Sequence, residues 1–197
     1  IYQATHLVNF AQGEMAMVST FFANLLMGSY GIKFPYAFAG ALIYAAALGM
    51  IFRALGHGFK VCMIQFIKGT WKYGELISAK HFEELLDFHV LGRGFTWKSE
   101  DIEKDIKAAQ EAWAFAKEVI NSGKYQLVVL DELTYLIKYK MVDEDEIVGF
   151  LSNRPKDLHI VVTGRDAPSS LIAIADLVTE MQEVKHHYHA GIKAQKG

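Results

Sequence analysis

The amino-acid sequence predicts an α/β protein with a parallel sheet and flanking helices, preceded by two apolar helices. Short apolar runs at residues 60–67, 126–130 and 159–163 are typical of strands that are buried on both faces. Helical patterns separate these runs, and this alternation is typical of parallel βαβ units. Of the 42 Asp, Glu, Lys and Arg residues, only Glu14 and Lys33 precede residue 53. We therefore predict two domains, residues 1–52 and residues 53–197.

The first domain contains two stretches without formal charge, Met15–Ile32 and Phe34–Phe52. Each is long enough to cross a bilayer as a helix, so residues 15–52 predict membrane contact. A buried pair of helices in a soluble core is the alternative. Residues 7–15 (LVNFAQGEM) resemble the opening of a branched-chain amino-acid ABC transporter permease, so residues 1–52 look like a fragment of that family. Because the chain begins at Ile1 rather than Met, we also expect a missing N-terminal segment.

The second domain reads as alternating strands and helices. The helix over residues 100–121 carries an apolar stripe, with Ser99 as its N-cap and Gly123 after its end. The stripe consists of Ile102, Ile106, Ala109, Trp113, Ala116 and Ile120. The predicted strands are 60–67, 88–91, 126–130, 159–163 and 177–181, and the further helices are 143–153 and 169–175.

Charge and cysteine content exclude several classes of function. The 20 basic and 22 acidic residues nearly balance, which gives no reason to expect nucleic acid as a partner. The single cysteine, Cys62, excludes an intrachain disulfide and a multi-cysteine metal site. Since Cys62 lies within an apolar run, we interpret it as a buried structural thiol. The histidines at 186, 187 and 189 are interpreted as a polar terminal segment rather than a zinc site.

Polar residues follow the predicted strands, where ligands gather in a parallel sheet. Asp131 and Glu132 come directly after the strand at 126–130, and two carboxylates there favour Mg²⁺ shared with phosphates. The alternative is a cap on the following helix, because acids favour helix N-termini. Lys68, followed by glycine after the first strand, is a candidate for a phosphate contact, and a solvated loop lysine explains it equally well. Arg165, after another strand, could bind a phosphate or a carboxylate.

Residues 92–97 (GRGFTW) place two aromatic side chains, Phe95 and Trp97, on a loop flanked by glycine. Exposed aromatics are unfavourable without a contact to cover them. These two side chains either cover a flat, partly apolar ligand or fill the base of the loop. Composition leaves both interpretations open.

Several strings taken together, in order over residues 53–197, resemble the P-loop-type ATP:corrinoid adenosyltransferases. The strings are GHGFKVCMIQFIKGTW, GRGFTW, VVLDELTY, NRP, VVTGR, ADLVTEM and VKHHYHAGIKAQKG. The resemblance implies a P-loop NTPase-like sheet and transfer of the 5′-deoxyadenosyl group of ATP to Co(I) of cob(I)alamin or another corrinoid. It implies Mg²⁺ at Glu132 and Asp131, and displacement of the lower corrinoid ligand by Phe95 and Trp97. It also implies ATP contacts at Lys68, Thr70 and Arg165, a homodimer, an electron-donating flavoprotein and a cytoplasmic location.

One part of the family pattern is missing. The family carries a first strand and a P-loop resembling GNGKGKTT, and the ungapped alignment places residues 38–45 (FAGALIYA) there. Ala41 and Ile43 then stand where lysines belong, and no G-x-x-x-x-G-K-[ST] spacing occurs in the chain. We therefore expect absent or weak ATP-dependent transfer. An inactive chimeric chain and a corrinoid-binding module without transferase activity remain the alternative interpretations.

Overall fold

The computed structural model describes residues 46–67, 74–92 and 102–181. Described residues 50–178 belong to one compact unit, and described residues 46–49 and 179–181 belong to another. The larger of these described parts contains the sheet.

Four parallel strands form the sheet in the order β2-β1-β3-β4. They are β1 (Val61–Gln65), β2 (Leu86–Val90), β3 (Leu127–Asp131) and β4 (His159–Val162). Every residue of the central strands β1 and β3 is buried, whereas β2 and β4 are mostly half-buried. Since successive side chains point to opposite faces, complete burial means that both faces of the central strands are covered. The α/β prediction with a parallel sheet is confirmed.

Helices connect the parallel strands, as crossover connections require. Residues 46–56 are helical (α1), α2 is Gly74–Ala79 and a 3-10 turn follows at Lys80–Phe82. The remaining helices are α3 (Ile102–Asn121), α4 (Thr134–Lys138), α5 (Glu144–Ser152) and α6 (Ser169–Ile174). The predicted helices at 143–153 and 169–175 are confirmed to within one residue at each end. Asp143 caps α5 by accepting a hydrogen bond from the main-chain N–H of Glu146 at 3.2 Å.

The long helix α3 covers one face of the sheet through the predicted stripe. Ala109, Trp113, Ala116 and Ile120 are buried in the same core as Cys62, Ile64, Val128 and Leu130. The prediction for Ile102 is wrong, because this side chain is 66% exposed. Ile102 begins the described helix one turn before the buried stretch. Periodicity predicted correctly which face of α3 packs on the sheet. It did not predict that the first turn of the helix extends beyond the sheet.

The prediction of Cys62 as a structural thiol is confirmed. Its side chain is fully buried. Burial, followed by the nearby charge of Asp87, raises the pKa of the Cys62 thiol to about 12. The thiol therefore stays protonated and packs as a small apolar group.

The predicted last strand, 177–181, does not form. Leu177 is 84% exposed and Val178 is 53% exposed, and neither residue lies in a strand. A strand needs a hydrogen-bonded neighbour, and among the described residues β4 pairs only with β3. The apolar sequence alone does not supply that neighbour.

Across the three described ranges, every helix falls short of the length and apolarity that a bilayer crossing requires. Residues 15–45, which hold most of the two predicted apolar helices, lie outside those ranges. Residues 46–52, the end of the second stretch, are helical.

Candidate functional site

Three neighbouring strands end in polar side chains at one edge of the sheet. Gln65 ends β1, Asp131 ends β3, and Thr163 directly follows β4. The strand register pairs Gln65 with Asp131, and the main-chain N–H of Thr163 donates to the carbonyl of Leu130 at 3.1 Å. Gln65, Asp131 and Thr163 therefore lie side by side, and we call them the polar row. All three are buried, with exposed fractions of 1%, 2% and 6%.

Both carboxylate oxygens of Asp131 accept a hydrogen bond within the polar row. The Nε2 of Gln65 donates to Oδ2 at 2.9 Å, and the hydroxyl of Thr163 donates to Oδ1 at 2.7 Å. Hydrogen bonds to a carboxylate are among the strong ones, and a buried carboxylate requires them. The packing of the strands thus fixes the position of Asp131.

Glu132, the next residue, adopts an unusual backbone conformation. Its φ is 63°, in the left-handed region that a residue with a side chain rarely occupies. Its main-chain N–H donates to the Oγ1 of Thr163 at 3.0 Å. Such conformations persist where surrounding contacts enforce them, and they concentrate at functional sites.

The turn after β4 packs closely against the start of α4. Gly164 has a φ of 150°, and a Cβ there would lie 1.9 Å from the Oγ1 of Thr134. Only glycine fits at this position without displacing α4. The end of α4 is tied to the same turn, because Lys138 and Asp166 form a salt bridge of 2.6 Å.

Glu132 and Arg165 have opposite electrostatic effects on Tyr135, a residue of α4. Burial and then the charge of Glu132 raise the pKa of Tyr135 to about 12, while Arg165 acts in the opposite direction. Tyr135 also stacks on Tyr139, with ring centroids 5.8 Å apart. Tyr135 therefore remains a neutral phenol at neutral pH.

Comparison with known proteins shows the family of this chain. The sequence model of the family described as ATP:corrinoid adenosyltransferase BtuR/CobO/CobP matches residues 44–197. The corrinoid adenosyltransferase of Pseudomonas aeruginosa is 46% identical over 78% of this chain and 75% of its own length. The corresponding protein of Sinorhizobium is 44% identical over 77% and 72%, and that of Escherichia coli K12 is 41% identical over 77% and 76%.

The chain belongs to the ATP:corrinoid adenosyltransferase family. Enzymes of this kind are its relatives over most of its length, so the enzyme prediction is confirmed. The match begins at residue 44, so it includes residues 44–52, which the sequence assigned to the permease-like fragment. None of the relatives named above is a permease, and that resemblance has no support from them.

The structure brings together only some of the predicted site residues. Asp131, Glu132 and Arg165 lie at the same edge of the sheet, whereas Lys68, Thr70, Phe95 and Trp97 lie outside the described residues. The last described residues before those two segments are close together. A Cβ on Gly92 would lie 2.4 Å from the carbonyl oxygen of Phe66, so the two backbones are in contact at this edge.

Sequence reasoning missed Gln65 and did not assign a role to the Thr163 hydroxyl. In the sequence, Gln65 lies within an apolar run, and Thr163 is the last residue of a predicted strand. Their position in the sheet identifies them, because each is the polar residue at the end of a strand and lies next to Asp131.

The oxygen-rich edge fits Mg²⁺ shared with phosphates better than it fits a metal held by protein alone. Among the described residues, no group of three His, Cys, Asp or Glu side chains is arranged to hold a metal ion. Magnesium usually takes one or two carboxylates and completes its shell with water and phosphate oxygens. The buried oxygens Gln65 Oε1 and Thr134 Oγ1 have no hydrogen-bond partner among the described residues, which adds hard oxygen donors to this edge.

Proposed function

We propose that this chain transfers the 5′-deoxyadenosyl group of ATP to the Co(I) of a corrinoid, with the triphosphate held at the polar edge of the sheet. In this reaction Co(I) attacks the ribose C5′ carbon, a Co–C bond forms, the C5′–O bond breaks and triphosphate leaves. The observation that supports the proposal is the adjacent pair Asp131 and Glu132, fixed at the end of a buried strand in a member of this family.

The two acids have different roles in this proposal. Asp131 is buried and already accepts two hydrogen bonds, so it forms the rigid part of the site. Glu132 is half-buried and contributes its carboxylate to Mg²⁺. When bound, Mg²⁺ offsets the negative charge of the departing triphosphate. Arg165, at the same edge, supplies a cation that suits phosphate oxygens.

The remaining roles follow the family resemblance. Phe95 and Trp97 would lie beneath the corrinoid and displace its lower ligand, because Co(II) without that ligand accepts an electron more readily. Lys68 and Thr70 would contact ATP. A homodimer, an electron-donating flavoprotein and a cytoplasmic location belong to the same proposal. The protein would hold Co(I) and C5′ in line, which is its main contribution to the rate.

Weak turnover is part of the proposal. A P-loop binds phosphate through main-chain N–H groups and a lysine, and residues 38–45 present neither its lysines nor its threonines. We expect a lower kcat/KM for ATP than the P. aeruginosa relative shows under the same conditions. Equal values would contradict this part of the proposal and leave the transferase assignment intact.

The transferase assignment is tested by following adenosylcobalamin formation from chemically reduced cob(I)alamin and Mg-ATP. We predict that Glu132→Gln lowers kcat/KM for ATP by about 100-fold, because the variant loses the charge that holds Mg²⁺. Glu118→Gln, which changes an exposed acid on α3, is the matched control and should behave as wild type. Equal rates for wild type and Glu132→Gln would overturn the proposed role of Glu132.

A further inference from the structure

The hydroxyl of Thr163 makes two hydrogen bonds at once, one to the carboxylate of Asp131 and one to the main-chain N–H of Glu132. A main-chain N–H can only donate, so Oγ1 accepts from Glu132 at 3.0 Å. The hydroxyl proton is then directed to Oδ1 of Asp131, at 2.7 Å. Thr163 is 6% exposed, so water does not readily replace either bond.

We propose that Thr163 is a positioning residue that sets the geometry of both acids toward the divalent cation. Its two bonds join the end of β4 to the end of β3 across the edge where the cation would bind. This inference rests on the proposed function, because it assumes that Asp131 and Glu132 face a divalent cation.

The backbone of Glu132 explains why such a residue is needed. A φ of 63° is unfavourable for glutamate, and the bond from its N–H to Thr163 is one of the contacts that stabilise it. A relaxed backbone at residue 132 would redirect the glutamate side chain. Loss of the hydroxyl should therefore change where the carboxylate lies, even if the sheet stays intact.

Neighbouring residues hold Thr163 itself in place. Its main-chain N–H donates to Leu130, and Gly164 beside it fits against Thr134 with no room for a Cβ. Gln65 fixes the other oxygen of Asp131 at 2.9 Å. These contacts hold the hydroxyl where it bonds to the carboxylate of Asp131 and to the main-chain N–H of Glu132. Groups that support metal ligands in this way typically change metal affinity 10- to 100-fold when they are removed.

The experiment uses electron paramagnetic resonance to measure how tightly the full chain binds Mn²⁺ in the presence of inorganic triphosphate and without corrinoid, because the site shares its cation with phosphate oxygens. Thr163→Val keeps the shape of the side chain and removes the hydroxyl, and we expect its Mn²⁺ affinity to fall by about 10-fold or more. Thr163→Ser keeps the hydroxyl and should stay within about threefold of wild type. Urea unfolding of each variant, at the temperature of the binding assay, shows whether the compared proteins are equally folded.

The outcomes separate this inference from the proposed function. Binding that Glu132→Gln removes and Thr163→Val leaves unchanged would overturn the positioning role alone. Binding that Glu132→Gln leaves unchanged would overturn the cation site itself. If Thr163→Val does not fold, Thr163→Ala provides the second variant, since it also removes the hydroxyl that bonds to Asp131 and Glu132. Wild-type affinity in the folded Thr163→Ala protein would also contradict the inference.

Discussion

Glu146 joins α5 to α3 through a single carboxylate oxygen. Its Oε1 accepts from the indole Nε1 of Trp113 at 2.9 Å and from the Nζ of Lys117 at 2.7 Å. Trp113 is 1% exposed and packs edge-to-face on Phe150, with ring centroids 5.6 Å apart. A buried indole N–H needs an acceptor, so Glu146 completes the environment of the largest fully buried side chain in the described core.

We predict that Glu146→Ala lowers the free energy of unfolding by about 1–3 kcal/mol, because the Trp113 N–H loses its acceptor. Glu146→Gln keeps an oxygen at that position and gives up only the exposed ion pair with Lys117, which is worth about 0.2–1 kcal/mol. Urea unfolding followed by tryptophan fluorescence measures both changes. Equal destabilisation by alanine and glutamine would show that the charge, rather than the hydrogen bond to Trp113, carries the effect.

At the scale of elements, burial decided which predictions succeeded. The central strands β1 and β3 are buried throughout, so their sequences are continuous apolar runs that identify them directly. The five-residue helix α4 escaped prediction because it is too short to show a helical period. Residues 177–181 have the composition of a strand but form none, since pairing depends on a neighbour that local sequence does not specify.

Asp87 connects the edge strand β2 to the segment that enters β3. Its Oδ2 accepts from the Nζ of Lys124 at 2.7 Å and from the hydroxyl of Tyr125. The hydrogen bonds from Lys124 and then Tyr125 lower the pKa of Asp87 below its ordinary value. A lowered carboxyl pKa means that the stabilisation from the ionised Asp87 carboxylate is complete at neutral pH. It is lost as the pH falls through the folded-state pKa.

We therefore predict that Asp87→Asn lowers the urea midpoint at pH 7, and that its difference from wild type shrinks below about pH 4. Urea titrations at several pH values measure the difference. Asp157→Asn, at an exposed acid in the turn before β4, is the control and should show no such convergence. A difference that stays constant from pH 7 to pH 3 would contradict the assignment to the Asp87 charge.

At the scale of the whole molecule, the sequence predicts where the site lies but not which of its polar groups hydrogen-bond to each other. Parallel strands place their carboxyl ends at one edge, so Asp131, Glu132 and Arg165 were predictable as neighbours. Which polar groups bond to which depends on strand register and strand order. Gln65 and Thr163 meet at Asp131 only because β1 and β4 flank β3, and no local pattern specifies that arrangement.

The proposed absence of a P-loop leads to the last prediction, which concerns the whole chain. The family match covers residues 44–197, and the resemblance places the P-loop pattern at residues 38–45, mostly before that match. We predict that joining residues 44–197 to the part of the P. aeruginosa relative that precedes its matched region raises kcat/KM for ATP by at least about 100-fold. The gain is expected because main-chain N–H groups and a lysine would then hold the triphosphate opposite Glu132.

The same chimera carrying Glu132→Gln is its control, and it should lose most of the gain because phosphate binding alone does not place Mg²⁺. Steady-state rates over a range of ATP concentrations measure both proteins. If the chimera turns over no faster than the original chain, the lack of a P-loop does not limit the reaction. The weak ATP binding proposed from residues 38–45 is then wrong. If it gains activity that Glu132→Gln does not affect, the acid pair at the end of β3 is not the magnesium site.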